Sequence, residues 1–128
     1  MAKRVLDVGN CDPDHAAICG LLAREFGAEV VRAYQGSDAF EQLRGGKFDL
    51  VLINRKLDID YTDGLDILKQ LKADPALAGI PVMLITNYPE HQQTAVEAGA
   101  LMGFGKQQLA AAETRERLGE VLGVPVRG

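Results

Sequence analysis

What this sequence has little of narrows its class before any motif is read. It carries only two cysteines, Cys11 and Cys19. They lie too close together for a disulfide framework and lack C-x-x-C spacing, so both are expected to be free thiols in a reducing compartment. It has no long apolar run. None approaches the ~20 residues that span a bilayer, and Met1-Ala2-Lys3-Arg4 leads straight into a strand pattern rather than a secretory apolar segment, so a cytoplasmic protein without membrane contact is expected. Positive charge is in deficit: a net charge of -4 gives nucleic acid no general reason to bind, and direct DNA binding is disfavoured. Internal repeats and low-complexity linkers are absent too. After the first strand pattern, Gly9-Asn10-Cys11-Asp12-Pro13 is neither the G-x-G-x-x-G of a dinucleotide site nor the Ser/Thr/Gly-rich loop of a flavin site. Metal-ligand sets are equally scarce. His15 and His91 each fall in the first turn of an expected helix, where exposure is the default, with no accompanying ligands. Asp58-Ile59-Asp60-Tyr61-Thr62-Asp63-Gly64 resembles a calcium loop only briefly, because its glycine falls one place late and its twelfth position would be Lys69. No metal is expected.

What is present is an ordinary globular composition, 47% apolar and 25% charged over 128 residues. One domain of that size buries roughly two-thirds of the surface its unfolded chain exposes. The pattern centres on Phe48-Asp49-Leu50-Val51-Leu52-Ile53, a continuous apolar run entered from Gly45-Gly46 and left through a carboxylate-rich loop, which reads as a buried central strand. Before it, Lys3 to Gly9 reads as a first strand in which Asp7 is expected to face away from the core. Asp12 as N-cap and Pro13 at the first helical position then start a helix carrying Ile18, Leu21, Leu22 and Phe26, stopped by Gly27. Glu29 to Tyr34 reads as a second strand, and Ser37 as the cap of a short helix through Leu43. Beyond the loop 54–64, Leu65, Leu68 and Leu71 mark a third helix ended by Asp74-Pro75. Pro81 to Thr86 is a fourth strand, Pro89 opens a helix that Gly99 closes, Leu101 to Phe104 is a fifth strand, and 109–122 is a last helix. Strands alternating with helices in this way predict an α/β fold, (βα)5, with a doubly wound parallel sheet covered on both faces and right-handed crossovers. Its domain is expected over 1–123, with 124–128 a tail or the start of a linker.

Five stretches decide among folds of that outline: the junction after the first strand, Phe48 to Asn54, Asp63-Gly64-Leu65, Pro81 to Thr86, and Gly99-Ala100 ahead of Lys106. Together, and in order, they resemble the receiver domain of two-component response regulators over nearly the whole chain, and the resemblance implies the flavodoxin-like strand order 2-1-3-4-5. A working receiver needs a carboxylate that attacks phosphorus, Mg²⁺ held by that carboxylate and an acidic pair, a lysine on the phosphoryl oxygens and a Ser/Thr hydroxyl on another. By resemblance, Asn54 stands in the phosphoacceptor place, Asn10 and Cys11 in the acidic pair's places with Asp12 beside them, Thr86 in the hydroxyl's place and Lys106 in the lysine's. Gln107 replaces the usual following proline, and the loop after the third strand is longer than the family pattern.

An amide oxygen is a poor nucleophile and forms no lasting acyl phosphate, so Asn54 is not expected to be phosphorylated. Mg²⁺ binding is expected to be weak or absent, since Asn10, Cys11 and Asn54 are neutral and Asp12 alone could anchor it. The charges of Arg55 and Lys56 are expected to occupy the space a metal would fill. The expectation is thus a pseudo-receiver: a signalling module, not an enzyme, working without phosphorylation by contact with an effector domain or other protein partner. A sensor kinase and a homodimeric partner stay open, and Leu101, Met102 and Phe104 are expected near the contact face. Two alternatives stand beside it. One is a phosphoacceptor using Asp58 or Asp60 in the longer loop; the other is a small-anion or nucleotide sensor using Arg55, Lys56, Thr86 and Lys106. Cys11, near a helix N-terminus that lowers a thiol pKa, carries a minor redox reading.

Overall fold

The computed structural model describes residues 2–123, so the expected tail at 124–128 lies outside the described residues. Five strands, β1 (Arg4–Val8), β2 (Glu29–Ala33), β3 (Leu50–Asn54), β4 (Val82–Ile85) and β5 (Leu101–Phe104), alternate with five helices, α1 (Asp12–Phe26), α2 (Gly36–Gly45), α3 (Gly64–Ala73), α4 (Pro89–Glu97) and α5 (Ala112–Leu122). The strands form one sheet in the order β2-β1-β3-β4-β5, every pair parallel.

Side-chain alternation along the strands splits the core into two layers. Leu6, Val8, Val51, Ile53, Val82 and Leu84 pack with Ala39 of α2, Ile67, Leu68 and Leu71 of α3, and Ala95 of α4. The opposite positions, Val5, Leu50, Leu52, Met83, Ile85 and Phe104, pack with Ile18, Leu22 and Phe26 of α1 and Leu118 and Leu122 of α5. All five residues of β3 are buried, as a central strand covered on both faces requires.

That double coverage overturns the expected outward-facing Asp7. It shares the α1/α5 side with Val5 and is fully buried, because a strand between two helical layers has no solvent face. Its carboxyl oxygens are satisfied instead by His15 Nδ1 at 2.6 Å and by the Asn10 side-chain amide. His15 is therefore not the exposed residue expected from its place in the first turn; its side chain is 18% exposed.

Helix starts differ by a residue or two. Cys11, not Asp12, is the N-cap of α1, and Gln35 rather than Ser37 precedes α2. Near α2 the Asp38 carboxylate accepts the Tyr34 N–H at 2.9 Å, which also holds its pKa below the usual value. The last helix starts at Ala112 after a separate 3-10 turn over Lys106–Gln108. Phe104, expected near an exposed contact face, is buried, whereas Leu101 and Met102 are exposed.

Candidate functional site

The parallel sheet brings the carboxyl ends of β1, β3, β4 and β5 to one edge, where Asn10, Asn54, Thr86 and Lys106 stand. There a cavity of about 530 Å³ is lined by Asn54, Arg55, Lys56, Ile85, Thr86, Asn87, Tyr88, His91 and Lys106. The topology thus gathers five of the expected residues, Asn54, Thr86, Lys106, Arg55 and Lys56. Asn10, Cys11 and Asp12 line a separate groove with Arg32, Tyr34, Asp58 and Ile59.

Asn54 ends β3 buried, and its Nδ2 donates to the Lys56 carbonyl at 2.7 Å and the Gly9 carbonyl at 3.3 Å. Both partners are acceptors, so the amide must face them with its nitrogen; turning it over would oppose three oxygens. The main chain around it is crowded. A Cβ on Gly64 would collide with the Asn54 carbonyl, and one on Gly9, whose φ is 79°, would collide with Leu57. Glycine is needed at both positions, for clearance at the first and for a left-handed backbone as well at the second.

The longer loop after β3 folds back on itself. Leu57 is fully buried beside Gly9, Leu57 N–H donates to Thr62 O, Tyr61 N–H to Leu57 O and Gly64 N–H to Arg55 O. Tyr61 sits at φ 59°, the left-handed region, to close the turn. Asp58 and Asp60 are carried outward on this turn; Asp60 accepts the Thr62 N–H at 3.0 Å, and neither lines the cavity of Thr86 and Lys106. Asp63 caps α3 through the Leu65 N–H and stands 3.2 Å from Arg55 Nη1. Arg55 is thus drawn to the loop's own carboxylate, while Lys56 is exposed and has no ion-pair partner among the described residues.

Lys106 finds a counter-charge that the sequence reading missed. Its Nζ lies 2.7 Å from Asp14 Oδ2, and the Cys11 thiol donates to the same oxygen at 3.1 Å. Burial alone would raise the Asp14 carboxyl, but the Lys106 and Cys11 bonds and the Lys106 charge outweigh it and hold it below the usual value. Asp12 is turned outward to Arg32 at 2.7 Å. Thr86 Oγ1 accepts the Tyr88 N–H at 3.3 Å and lies 3.4 Å from His91 Nδ1.

On the far side of α1, Cys19 Sγ lies 3.3 Å from His15 Nε2. Burial and then the Asp7 charge push this thiol's pKa up, with Arg32 opposing. Both cysteines are free. Among the described residues no cluster of three His, Cys, Asp or Glu side chains has the arrangement of a metal site, and no helix is long and apolar enough to cross a membrane.

Residues 12–116 match the family model described as the response regulator receiver domain. The chain belongs to that family. Among curated proteins this receiver domain is similar to the "Transcriptional regulatory protein ZraR" of Salmonella typhimurium, 40% identical over 101 residues that make 77% of this chain and 22% of that protein. It is similar too to the "Gliding motility regulatory protein" of Myxococcus xanthus, 31% identical over 76% of this chain and 12% of that one. The receiver thus spans less than a quarter of these relatives. Among solved structures, a putative response regulator from Chloroflexus aurantiacus superposes with a TM-score of 0.77 at 22% identity, covering 95% of this chain and 98% of that one. A signal receiver domain of a DNA-binding response regulator from Colwellia psychrerythraea gives 0.75 at 25% identity over 92% and 98%.

Two site residues, Asp14 and Asp7, escaped sequence reading for different reasons. Asp14 lies a helical step past the expected acidic positions, and nothing local marks which of Asp12 and Asp14 turns inward. Asp7 reads as a strand misfit until the helix packed on it is known to carry His15.

Proposed function

We propose that this receiver domain signals by protein contact without phosphorylation of Asn54 and without a resident Mg²⁺. The observation that carries the reading is the Asn54 amide, whose two hydrogens are directed at the Lys56 and Gly9 carbonyls. The side chain most central to the expected phosphotransfer position therefore acts as a hydrogen-bond donor to the backbone, where a phosphoacceptor must present an anionic oxygen.

The surrounding donor set is a poor match for Mg²⁺, which prefers carboxylates and water in octahedral geometry. The Asp14 carboxylate is engaged by Lys106 and Cys11, and that of Asp12 by Arg32. Asn10 Oδ1 is buried without a hydrogen-bond partner among the described residues, but a single neutral oxygen does not offset the nearby Lys106 and Arg55 charges. The domain is accordingly proposed to be non-enzymatic and cytoplasmic, and to act on a protein partner: an effector domain, a sensor kinase or a second copy. Exposed Leu101 and Met102 on β5 mark the face proposed for that contact, and direct nucleic-acid binding is not proposed.

Incubation with acetyl phosphate and Mg²⁺, followed by intact-mass and peptide-mapping spectrometry, tests this. Wild type is expected to gain no phosphoryl mass. An Asn10→Asp, Cys11→Asp, Asn54→Asp variant, with carboxylates restored at the acceptor and acidic-pair places, is expected to gain Mg²⁺-dependent labelling that Lys106→Ala diminishes. Wild-type labelling on Asp58 or Asp60 would overturn the proposal in favour of a displaced acceptor.

A further inference from the structure

The cavity at the sheet edge holds an unusual balance of charge for a chain whose net charge is -4. Arg55, Lys56 and Lys106 line it, and no carboxylate does. Asp63 and Asp14, which pair with Arg55 and Lys106, stand outside the lining. Neither pairing exhausts its donors: an ammonium has three N–H groups and a guanidinium five. Lys56 keeps all of its own. The Thr86 hydroxyl adds a further polar group to the lining, 3.4 Å from His91 Nδ1.

Part of the lining differs in kind. Tyr88 is 59% exposed, and His91 meets its ring edge-on at 5.4 Å, forming a small aromatic wall beside the cations. In the same lining, the Asn87 Oδ1 already accepts the Gln107 N–H at 3.1 Å, which leaves its Nδ2 as a donor. At about 530 Å³ the cavity falls within the range of small-molecule sites, and a bare inorganic anion would leave Tyr88 and His91 without contact.

We infer that this cavity binds a mononucleotide-like ligand, a phosphate monoester bearing a planar heteroaromatic ring, without covalent transfer. Its phosphate is held by Lys106, Arg55, Lys56 and the Thr86 hydroxyl, and its ring rests on Tyr88 and His91. Charge-assisted bonds from planar and ammonium donors suit the phosphate, and stacking on an aromatic face suits any base. The inference rests on the reading that Asn54 takes no phosphoryl group, since an unmodified Asn54 leaves the cationic side chains open to a diffusible anion.

Titration of the whole chain with AMP, GMP, ribose 5-phosphate, adenosine and inorganic phosphate, followed by amide NMR and calorimetry, tests it. Saturable binding of AMP or GMP is expected, tighter than ribose 5-phosphate or adenosine, with shifts at Lys56, Thr86 and Tyr88. Lys56→Ala, which breaks no ion pair, is expected to weaken nucleotide binding about tenfold, the scale of one charge-assisted contact. Tyr88→Ala is expected to weaken AMP but leave ribose 5-phosphate unchanged. The inference is overturned if no mononucleotide saturates at millimolar concentration, or if AMP and ribose 5-phosphate bind equally and Tyr88→Ala affects neither. Failure here leaves the phosphorylation reading intact, because that reading is decided separately by the mass of acetyl-phosphate-treated wild type.

Discussion

Replacing Asn54 by aspartate is isosteric, yet it should destabilise this domain through the backbone it faces. The Asn54 Nδ2 donates twice, to Lys56 O at 2.7 Å and Gly9 O at 3.3 Å. Losing both donations costs about 1–3 kcal/mol at 0.5–1.5 kcal/mol each. Gly9 O keeps the Asp58 N–H at 2.9 Å, but Lys56 O is left with a carboxylate oxygen in front of it, a further cost of about 1–3 kcal/mol. The expected loss at pH 7 is therefore about 2–6 kcal/mol, a large part of the roughly 5–15 kcal/mol that holds a domain together. The sign of its pH dependence follows from the same geometry. Burial against carbonyl oxygens raises the new carboxyl's folded pKa above its unfolded value near ~3.9. Folding then favours the protonated form, so stability recovers as pH falls through the folded pKa, and the recovery is complete below the unfolded one. Urea unfolding followed by circular dichroism at pH 7 and pH 4, with wild type alongside, measures both effects. An Asn54→Asp protein within ~0.5 kcal/mol of wild type at pH 7, or one whose deficit widens on acidification, would refute the assigned role of the amide. Rescue by Lys106 swinging across from Asp14 is separable, because Lys106→Ala would then cost more in the Asn54→Asp background than in wild type.

Other expectations test the fold and the site's supports. Leu52→Ala, at a fully buried position of β3, should cost about 2–5 kcal/mol in the same denaturation assay; a change below ~1 kcal/mol would remove β3 from the core. Asp14→Asn should cost about 0.5–1 kcal/mol, because Asp14 and Lys106 are 30% and 32% exposed. Its depressed pKa means the gap from wild type is fully present above pH 3.8 and closes as pH falls below that value, which acid titration of both proteins reads directly. Gln92→Ala should release the Gly103 N–H that the Gln92 Oε1 accepts at 2.8 Å, and faster hydrogen exchange at Gly103 is the measurement.

The fold was largely legible because strand and helix periodicities agree with their punctuation. The run from Leu50 to Ile53 between Gly45-Gly46 and a polar loop admits little besides a buried parallel strand, and Leu65, Leu68 and Leu71 fall at helical spacing with Leu68 and Leu71 fully buried. A parallel sheet followed from alternation and handed crossovers, and its strand order from the receiver resemblance alone. The site was legible in position but not in partnership. Thr86 and Lys106 stand where the strand ends put them, yet Lys106 pairs with Asp14, a choice made by the register of α1 against β5 and invisible in either segment alone. Asp7 shows the same limit. Alternation within a strand says which residues share a side, not whether a second layer covers it, so a buried carboxyl was read as a solvated one. Tyr88 escaped notice, and His91 was expected only to be exposed, because nothing in Asn87-Tyr88-Pro89 marks either residue as part of the cavity lining.

The buried Gln92 side chain has a mechanical consequence. Its amide donates to Leu84 O at 2.9 Å and Thr86 O at 3.3 Å and accepts from Gly103 N–H, spanning the place where the β4–β5 register shifts. A cross-brace of this kind turns three elements into one lever. Helix α4 cannot tilt away from the sheet without tugging the main chain at Thr86, the residue that closes one wall of the cavity. A force applied to the outer surface of α4 by a bound protein would therefore be delivered at the cavity's rim, and a filled cavity would stiffen that outer surface in return.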